Sequence, residues 1–155
     1  MPDTYSKLQI HLVFAVKYRQ ALIHESWEVR LHKYITGIIE CSGHKLLAIN
    51  GMPDHVHIFI GMRPAQALSD LVREIKKAST QFIKDNGFTP HKFQWQEGYG
   101  AFSYAESQVK TVVNYILNQK EHHAVQKFNE EYLEMLQNFG IEYDQQHLFK
   151  DPIAA

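Results

Sequence analysis

Pro53-Asp54-His55-Val56-His57-Ile58-Phe59-Ile60 reads as a β-strand, an apolar run with Gly51 and Pro53 before it and Gly61 after it. Strand side chains alternate, so Val56, Ile58 and Ile60 share one face and His55 and His57 the other. Two imidazoles placed this way can reach one divalent ion. They are equally two histidines on a half-buried sheet face, in a chain that has ten histidines. The neighbouring elements have to choose between these readings.

Working outward, Asn50-Gly51 supplies a tight turn, and Lys45–Asn50 becomes the partner strand of an antiparallel hairpin. Residues 7–18 alternate, with Leu8, Ile10, Leu12, Phe14 and Val16 on one face and His11 among those on the other, which predicts a first strand. Apolar spacing of three and four predicts helices over Glu25–Cys41 and about Ala67–Lys84, and Asn86-Gly87 ends the second. A short strand is expected at Lys92–Gln96. Strand, helix, strand, strand, helix, strand is the order of an α+β, ferredoxin-like antiparallel sheet with its helices on one face. That topology makes the first and third strands neighbours and sets His11 near the histidine pair.

Downstream, Gly98-Tyr99-Gly100-Ala101-Phe102 reads as a glycine-punctuated loop. Ser103 and Glu106 fit a capping box opening a helix that runs to about His123. A last helix, about Ala124–Asn138, and an acidic, aromatic tail complete the chain. We read one domain over 1–155: a sheet core (5–102), a helix bearing a tyrosine (104–123), and a C-terminal helix and tail (124–155).

The chain has 155 residues, 45% hydrophobic and 21% charged, which is ordinary for a globular protein. Its one cysteine, Cys41, rules out an internal disulfide or a cysteine-based zinc site. No long apolar run or leader pattern is visible, so a cytoplasmic protein without membrane partners is expected. The net charge of −1 hides an asymmetry: residues 1–120 carry fourteen Lys and Arg against ten Asp and Glu, and residues 121–155 two against seven. A mildly basic body can still meet phosphate through local patches.

In the penultimate helix, Val109, Val112, Val113, Ile116 and Leu117 form the apolar stripe, and Tyr115 falls outside it. Tyr115 is therefore exposed or aimed at something polar, with Gln119 one turn on and His122 close to both. A metal held by two imidazoles could polarise a phosphodiester, and a tyrosine could attack it to give a phosphotyrosine that conserves the bond energy for rejoining. Gln119 could add an oxygen ligand. Mg²⁺ or Mn²⁺ would then need water or phosphate in the open positions.

Asp-His-Val-His in a strand, Trp-Gln-Glu-Gly-Tyr-Gly-Ala-Phe after it, and Tyr-Ile-Leu-Asn-Gln-Lys-Glu-His-His on a helix resemble the small single-tyrosine HUH transposases. These are the TnpA-like enzymes of hairpin-ended insertion sequences, the IS two-hundred/six-hundred-and-five group. The resemblance runs from Tyr5-Ser6-Lys7 to Gly140-Ile141-Glu142-Tyr143-Asp144. It implies cutting and rejoining of single-stranded DNA at hairpins, through a transient 5′-phosphotyrosine and a free 3′-OH, without a nucleotide cofactor. It implies Tyr115 as nucleophile, His55, His57 and Gln119 as metal ligands, and a homodimer whose active sites can combine residues of both subunits. DNA affinity would rest on local contacts such as Arg63, Arg73, Lys76 and Lys77. Two alternatives stand beside it. One is a domesticated nickase acting on repeated palindromes; the other is a non-enzymatic single-strand-binding module using Phe59, Phe93 or Trp95.

Overall fold

A computed structural model describes residues 4–124 and 126–144. At its centre lies a four-stranded antiparallel sheet of β1 (Gln9–Ala15), β2 (Lys45–Met52), β3 (His55–Gly61) and β4 (Gly100–Tyr104), in the order β2-β3-β1-β4. Helix α1 (Glu25–Cys41) joins β1 to β2, and α2 (Leu68–Asn86) lies between β3 and β4. This is the expected ferredoxin-like arrangement.

The alternation of β1 and β3 sorts their side chains as the sequence implies. Leu12, Phe14, Val56, Ile58 and Ile60 pack against Leu31, Ile35 and Ile39 of α1 and Leu71, Val72 and Ile75 of α2. The other face carries His11, Val13, His55, His57 and Phe59. It is covered by α3 (Val109–Leu117), α4 (Gln119–His122) and α5 (Phe128–Asn138). Both faces are thus covered, and the histidines lie in a second buried layer.

The hairpin turns later than its asparagine and glycine suggest. β2 continues through Met52, pairing Asn50 with His57, Gly51 with Val56 and Met52 with His55, and Pro53-Asp54 makes the turn. Proline presets the φ of a turn residue, and neither turn residue has a positive φ, so the loop needs no glycine. Gly51 meets a different need, because a Cβ there would stand 2.3 Å from the His55 carbonyl oxygen. Gly51→Ala must push β3 away at its first histidine, at a cost of about 2 kcal/mol. Urea unfolding would show this as a lower midpoint, and an unchanged midpoint would mean that the hairpin yields freely.

The fourth strand also differs from expectation. It lies at Gly100–Tyr104, partly within the stretch read as a loop, and pairs with β1 from Gln9↔Tyr104 to Val13↔Gly100. The Lys92–Gln96 segment makes one bridge, Val16↔Trp95. Its alternation reflects docking into the core rather than a ladder: Phe93 and Trp95 are both buried, and Trp95 Nε1 donates to Ser79 Oγ at 2.9 Å. Gly100 lets the Tyr132 ring come within 2.9 Å of where its Cβ would be, so here the glycine belongs to a strand.

The expected capping box does not form, because Ser103 belongs to β4. Instead Gln108 Oε1 accepts from the Ala105 amide at 2.9 Å, and a 3-10 turn over Glu106–Gln108 leads into α3. The helix does not run unbroken to His123. It stops at Asn118 (φ −98, ψ 22), where Asn50 Nδ2 takes the Leu117 carbonyl at 3.0 Å. Leu117, assigned to the apolar stripe, is exposed at this end. The last helix starts at Phe128 rather than Ala124, and Gly140, at φ +64, follows its end.

Candidate active site

The end of the tyrosine helix is fastened to the histidine hairpin within one chain. Besides the Asn50 bond, Lys120 Nζ donates to the Gly51 carbonyl and to Glu28 Oε1, each at 2.7 Å. These bonds hold both sides of the α3–α4 break against the residues that lead into β3.

His55 and His57 are almost wholly buried, and each has its Nδ1 engaged. His55 Nδ1 lies 2.7 Å from Asp54 Oδ1, and His57 Nδ1 lies 2.7 Å from His11 Nε2. The placement of His11 beside the pair follows the adjacency of β1 and β3. Engaging Nδ1 leaves Nε2 of each ring to face the site, the arrangement by which outer partners orient metal-binding imidazoles. His57 Nε2 stands 3.0 Å from Glu131 Oε1, and His55 Nε2 has no hydrogen-bond partner.

Tyr115 is half-buried, and its ring lies 5.9 Å from that of His57 and 5.1 Å from that of His122. Its hydroxyl donates to the Glu131 carboxylate. Gln119 is fully buried; its amide nitrogen donates to Glu131 Oε2 at 3.2 Å, and its Oε1 has no hydrogen-bond partner. The four residues singled out from sequence are therefore brought together, across a helix break, around a fifth.

That fifth residue, Glu131, enters the sequence reading only through the acidic balance of residues 121–155. Its signal lay in α5, whose buried side is Phe128, Glu131, Tyr132, Met135 and Leu136. A carboxylate inside a helical apolar stripe needs a partner. His123, just past α4, has no role in the sequence reading beyond marking the helix end and the closing His-His of its motif; its Nε2 stands 3.1 Å from Glu131 Oε1. Among the described residues, His55, His57, His123 and Glu131 bring one ligand atom each within 4.8 Å of one another and could hold a metal ion.

The electrostatics follow from burial. Burial pushes the Tyr115 hydroxyl well above its usual value and the Glu131 charge adds to the rise, so the resting tyrosine is protonated. Burial would raise the Glu131 carboxyl, but hydrogen bonds from His123 and His57 outweigh it and hold the group well below the carboxylate range. Burial brings His57 down to about 4 despite its bond to Glu131, and lowers His32 on α1 to about 4 as well.

Stability of the metal-free protein should depend on pH accordingly. The unfolded chain takes up protons on these two histidines below about 6.5, whereas the folded chain does so only near 4. Stability is thus complete above about pH 6.5 and falls as pH drops towards 4, with His57 alone contributing a loss of up to about 3 kcal/mol. Guanidinium titrations at pH 7, 6, 5 and 4.5 would show the midpoint falling; a flat profile would contradict the burial of neutral imidazoles.

Two clefts flank the cluster. One of about 250 Å³ is lined by Tyr104, Tyr115, His122 and Glu131; the other, of about 340 Å³, by Arg19, Asp54, His55 and His123. Tyr18 and Arg19 both have positive φ (58 and 54), a costly backbone for residues other than glycine, and they set Arg19 at that second opening. Of the suggested DNA contacts, Arg73 and Lys77 are exposed on α2, across the sheet from the histidines, and Arg73 pairs with Asp70 at 2.9 Å. Arg63 is exposed and donates to the Ser42 carbonyl at 3.0 Å. Lys76 donates to the Gln96 and Gly98 carbonyls, with its ammonium over Phe14. Phe59, Phe93 and Trp95 are buried, so they offer no stacking platform for bases. No described helix is long and apolar enough to cross a membrane.

Residues 4–119, which include the histidine pair, Tyr115 and Gln119, match the family described as "Transposase IS200 like". The chain belongs to the IS200-like transposase family. Over 75 residues it is 32% identical to the ISDra2 transposase TnpA of Deinococcus radiodurans, a match covering 48% of this chain and 54% of that one. The chain thus spans about half the length of this curated relative. A crystal structure of a provisionally assigned transposase from Deinococcus radiodurans R1 is 28% identical with a TM-score of 0.61, covering 76% of this chain and 94% of that one. The same fold occurs in a REP-associated tyrosine transposase solved bound to a REP hairpin, at 17% identity and a TM-score of 0.60, covering 98% and 96%.

Proposed function

We propose that this member of the family cuts and rejoins single-stranded DNA at hairpin-shaped transposon ends, as a homodimer, through a transient 5′-phosphotyrosine on Tyr115. The observation that carries this reading is the convergence, within one chain, of the Tyr115 hydroxyl and two paired imidazoles on a single buried carboxylate. A hairpin substrate follows from the family resemblance.

His55, His57 and Gln119 would hold a divalent ion, Mg²⁺ or Mn²⁺. His55 Nε2 and Gln119 Oε1 are buried atoms of ligand type with no hydrogen-bond partner, which fits that role. A bound ion would stabilise the charge that develops on the phosphate oxygens. Tyr115 Oη attacks phosphorus and forms a P–O bond; the bond to the 3′ oxygen breaks, and that oxygen takes up a proton from solvent to leave a 3′-OH. The tyrosine ester retains the phosphodiester energy, and the 3′-OH of an incoming strand reverses the step, so no nucleotide cofactor is consumed. Glu131 Oε2 is the acceptor already hydrogen-bonded to the tyrosine's proton. Arg63, Arg73 and Lys77 supply exposed cations for phosphate, whereas the ammonium of Lys76 is held by carbonyls.

The test is incubation of the full chain with Mn²⁺ and single-stranded oligonucleotides that fold into imperfect hairpins. A denaturant-resistant protein–DNA adduct that maps to Tyr115 by mass spectrometry is expected. Cleavage without such an adduct would overturn the tyrosine mechanism, and no cleavage with any divalent ion would overturn the activity.

A further inference from the structure

We propose that Glu131 and His123 are ligands of the same ion as His55 and His57, so that the metal site of the DNA-free protein is closed by the segment following Gln119. The inference rests on the ion placed above at the histidine pair. It adds two residues that lie beyond the stretch matched by the family, which ends at residue 119.

The spacing of the atoms supports it. Glu131 Oε1 stands 3.0 Å from His57 Nε2, 3.1 Å from His123 Nε2 and 3.8 Å from His55 Nε2. Ligand atoms bound tetrahedrally at the usual nitrogen and oxygen distances lie roughly 3.4 Å apart, so the three distances from the carboxylate oxygen bracket that value, and all four ligand atoms lie within 4.8 Å of one another. A plain salt-bridge cluster explains less. It leaves His55 Nε2 buried without a partner although that ring is 1% exposed, and it gathers three imidazoles on one carboxylate oxygen. The backing of both strand histidines at Nδ1 is the second half of the same pattern.

The two carboxylate oxygens divide their contacts. Oε1 faces the imidazoles of His55, His57 and His123, whereas Oε2 accepts from the Tyr115 hydroxyl and the Gln119 amide and lies 3.3 Å from His122 Nε2. Glu131 therefore links the ion site to the nucleophile, and Gln119 orients the carboxylate while its own Oε1 remains available. Three imidazoles and one carboxylate form a harder-to-fill set for Mg²⁺, which prefers oxygen and water, than for Zn²⁺, Mn²⁺ or Co²⁺. The donor set thus selects a first-row transition metal in the resting protein.

Calorimetric titration of the chelator-treated full chain with Zn²⁺, Mn²⁺ and Mg²⁺ tests this without reference to activity. Expected are one ion per chain, Zn²⁺ and Mn²⁺ bound more tightly than Mg²⁺, and a higher melting temperature on binding. Glu131→Gln should weaken Zn²⁺ and Mn²⁺ binding at least 10-fold to 100-fold, and His123→Ala about 10-fold, since even outer partners of metal ligands have effects of that size. Circular dichroism checks folding of both; should Glu131→Gln misfold, His123→Ala decides. If folded Glu131→Gln and His123→Ala stay within twofold of the parent while His55→Ala loses the ion, this inference fails and the two-histidine site stands. If the parent chain binds no ion, both fail.

Discussion

Tyr115→Phe is expected to abolish the covalent protein–DNA adduct and lower strand cleavage by roughly 10⁴-fold or more, because it removes the hydroxyl that forms the proposed ester. The substitution removes one oxygen from a half-buried ring that still packs beside His57 and His122. It deletes a hydrogen bond to a charged group, but that group keeps His57, His123 and Gln119 as partners, so stability should change by only about 1 kcal/mol. Binding of a hairpin oligonucleotide should persist, since the substitution removes no charge and leaves the ring in place. Cleavage in this variant at the parent rate, measured on denaturing gels, would remove Tyr115 from the mechanism. Loss of oligonucleotide binding together with cleavage would instead assign the ring a role in holding the strand.

His57→Ala is the second large effect. This ring is fully buried and joins three things: His11 behind it, Glu131 in front of it and the Tyr115 ring beside it. Its loss should reduce metal-dependent cleavage by roughly 10³-fold, the equivalent of several kcal/mol of transition-state stabilisation. It should also flatten part of the acid-side loss of stability, because the group that refuses a proton in the fold is gone. EDTA should bring the parent protein down to the level of this variant. Parent activity that survives EDTA would place the chemistry outside the metal reading. Gln119→Ala should weaken cleavage without erasing it, as water can replace one amide oxygen; an unchanged metal dependence would transfer the ligand role to other groups.

Much of this site was legible because it depends on short-range periodicity. The two-residue repeat of β3 put His55 and His57 on one face, and the 3.6-residue repeat of α3 put Tyr115 off the apolar stripe. The readings that moved depend on which segment wins a place in three dimensions. Phe93 and Trp95 alternate like a strand, yet the edge of β1 is taken by Gly100–Tyr104, while the two rings are drawn into the core against Ser79 and Phe14. Gly51 looked like turn chemistry, whereas the constraint on it is the close passage of the His55 carbonyl.

By itself, then, the sequence determined the strand and helix order, the sorting of residues onto two sheet faces, and the family through its histidine, tyrosine and glutamine motifs. Each of these follows from patterns a few residues long. Only the tertiary structure decided what lies between the histidines and the tyrosine. Glu131, 74 positions after His57, arrives on a separate helix, and its role is set by packing that no local spacing encodes. A buried carboxylate persists only where cations or donors meet it, and that requirement brings four imidazoles, an amide and the tyrosine hydroxyl to one point.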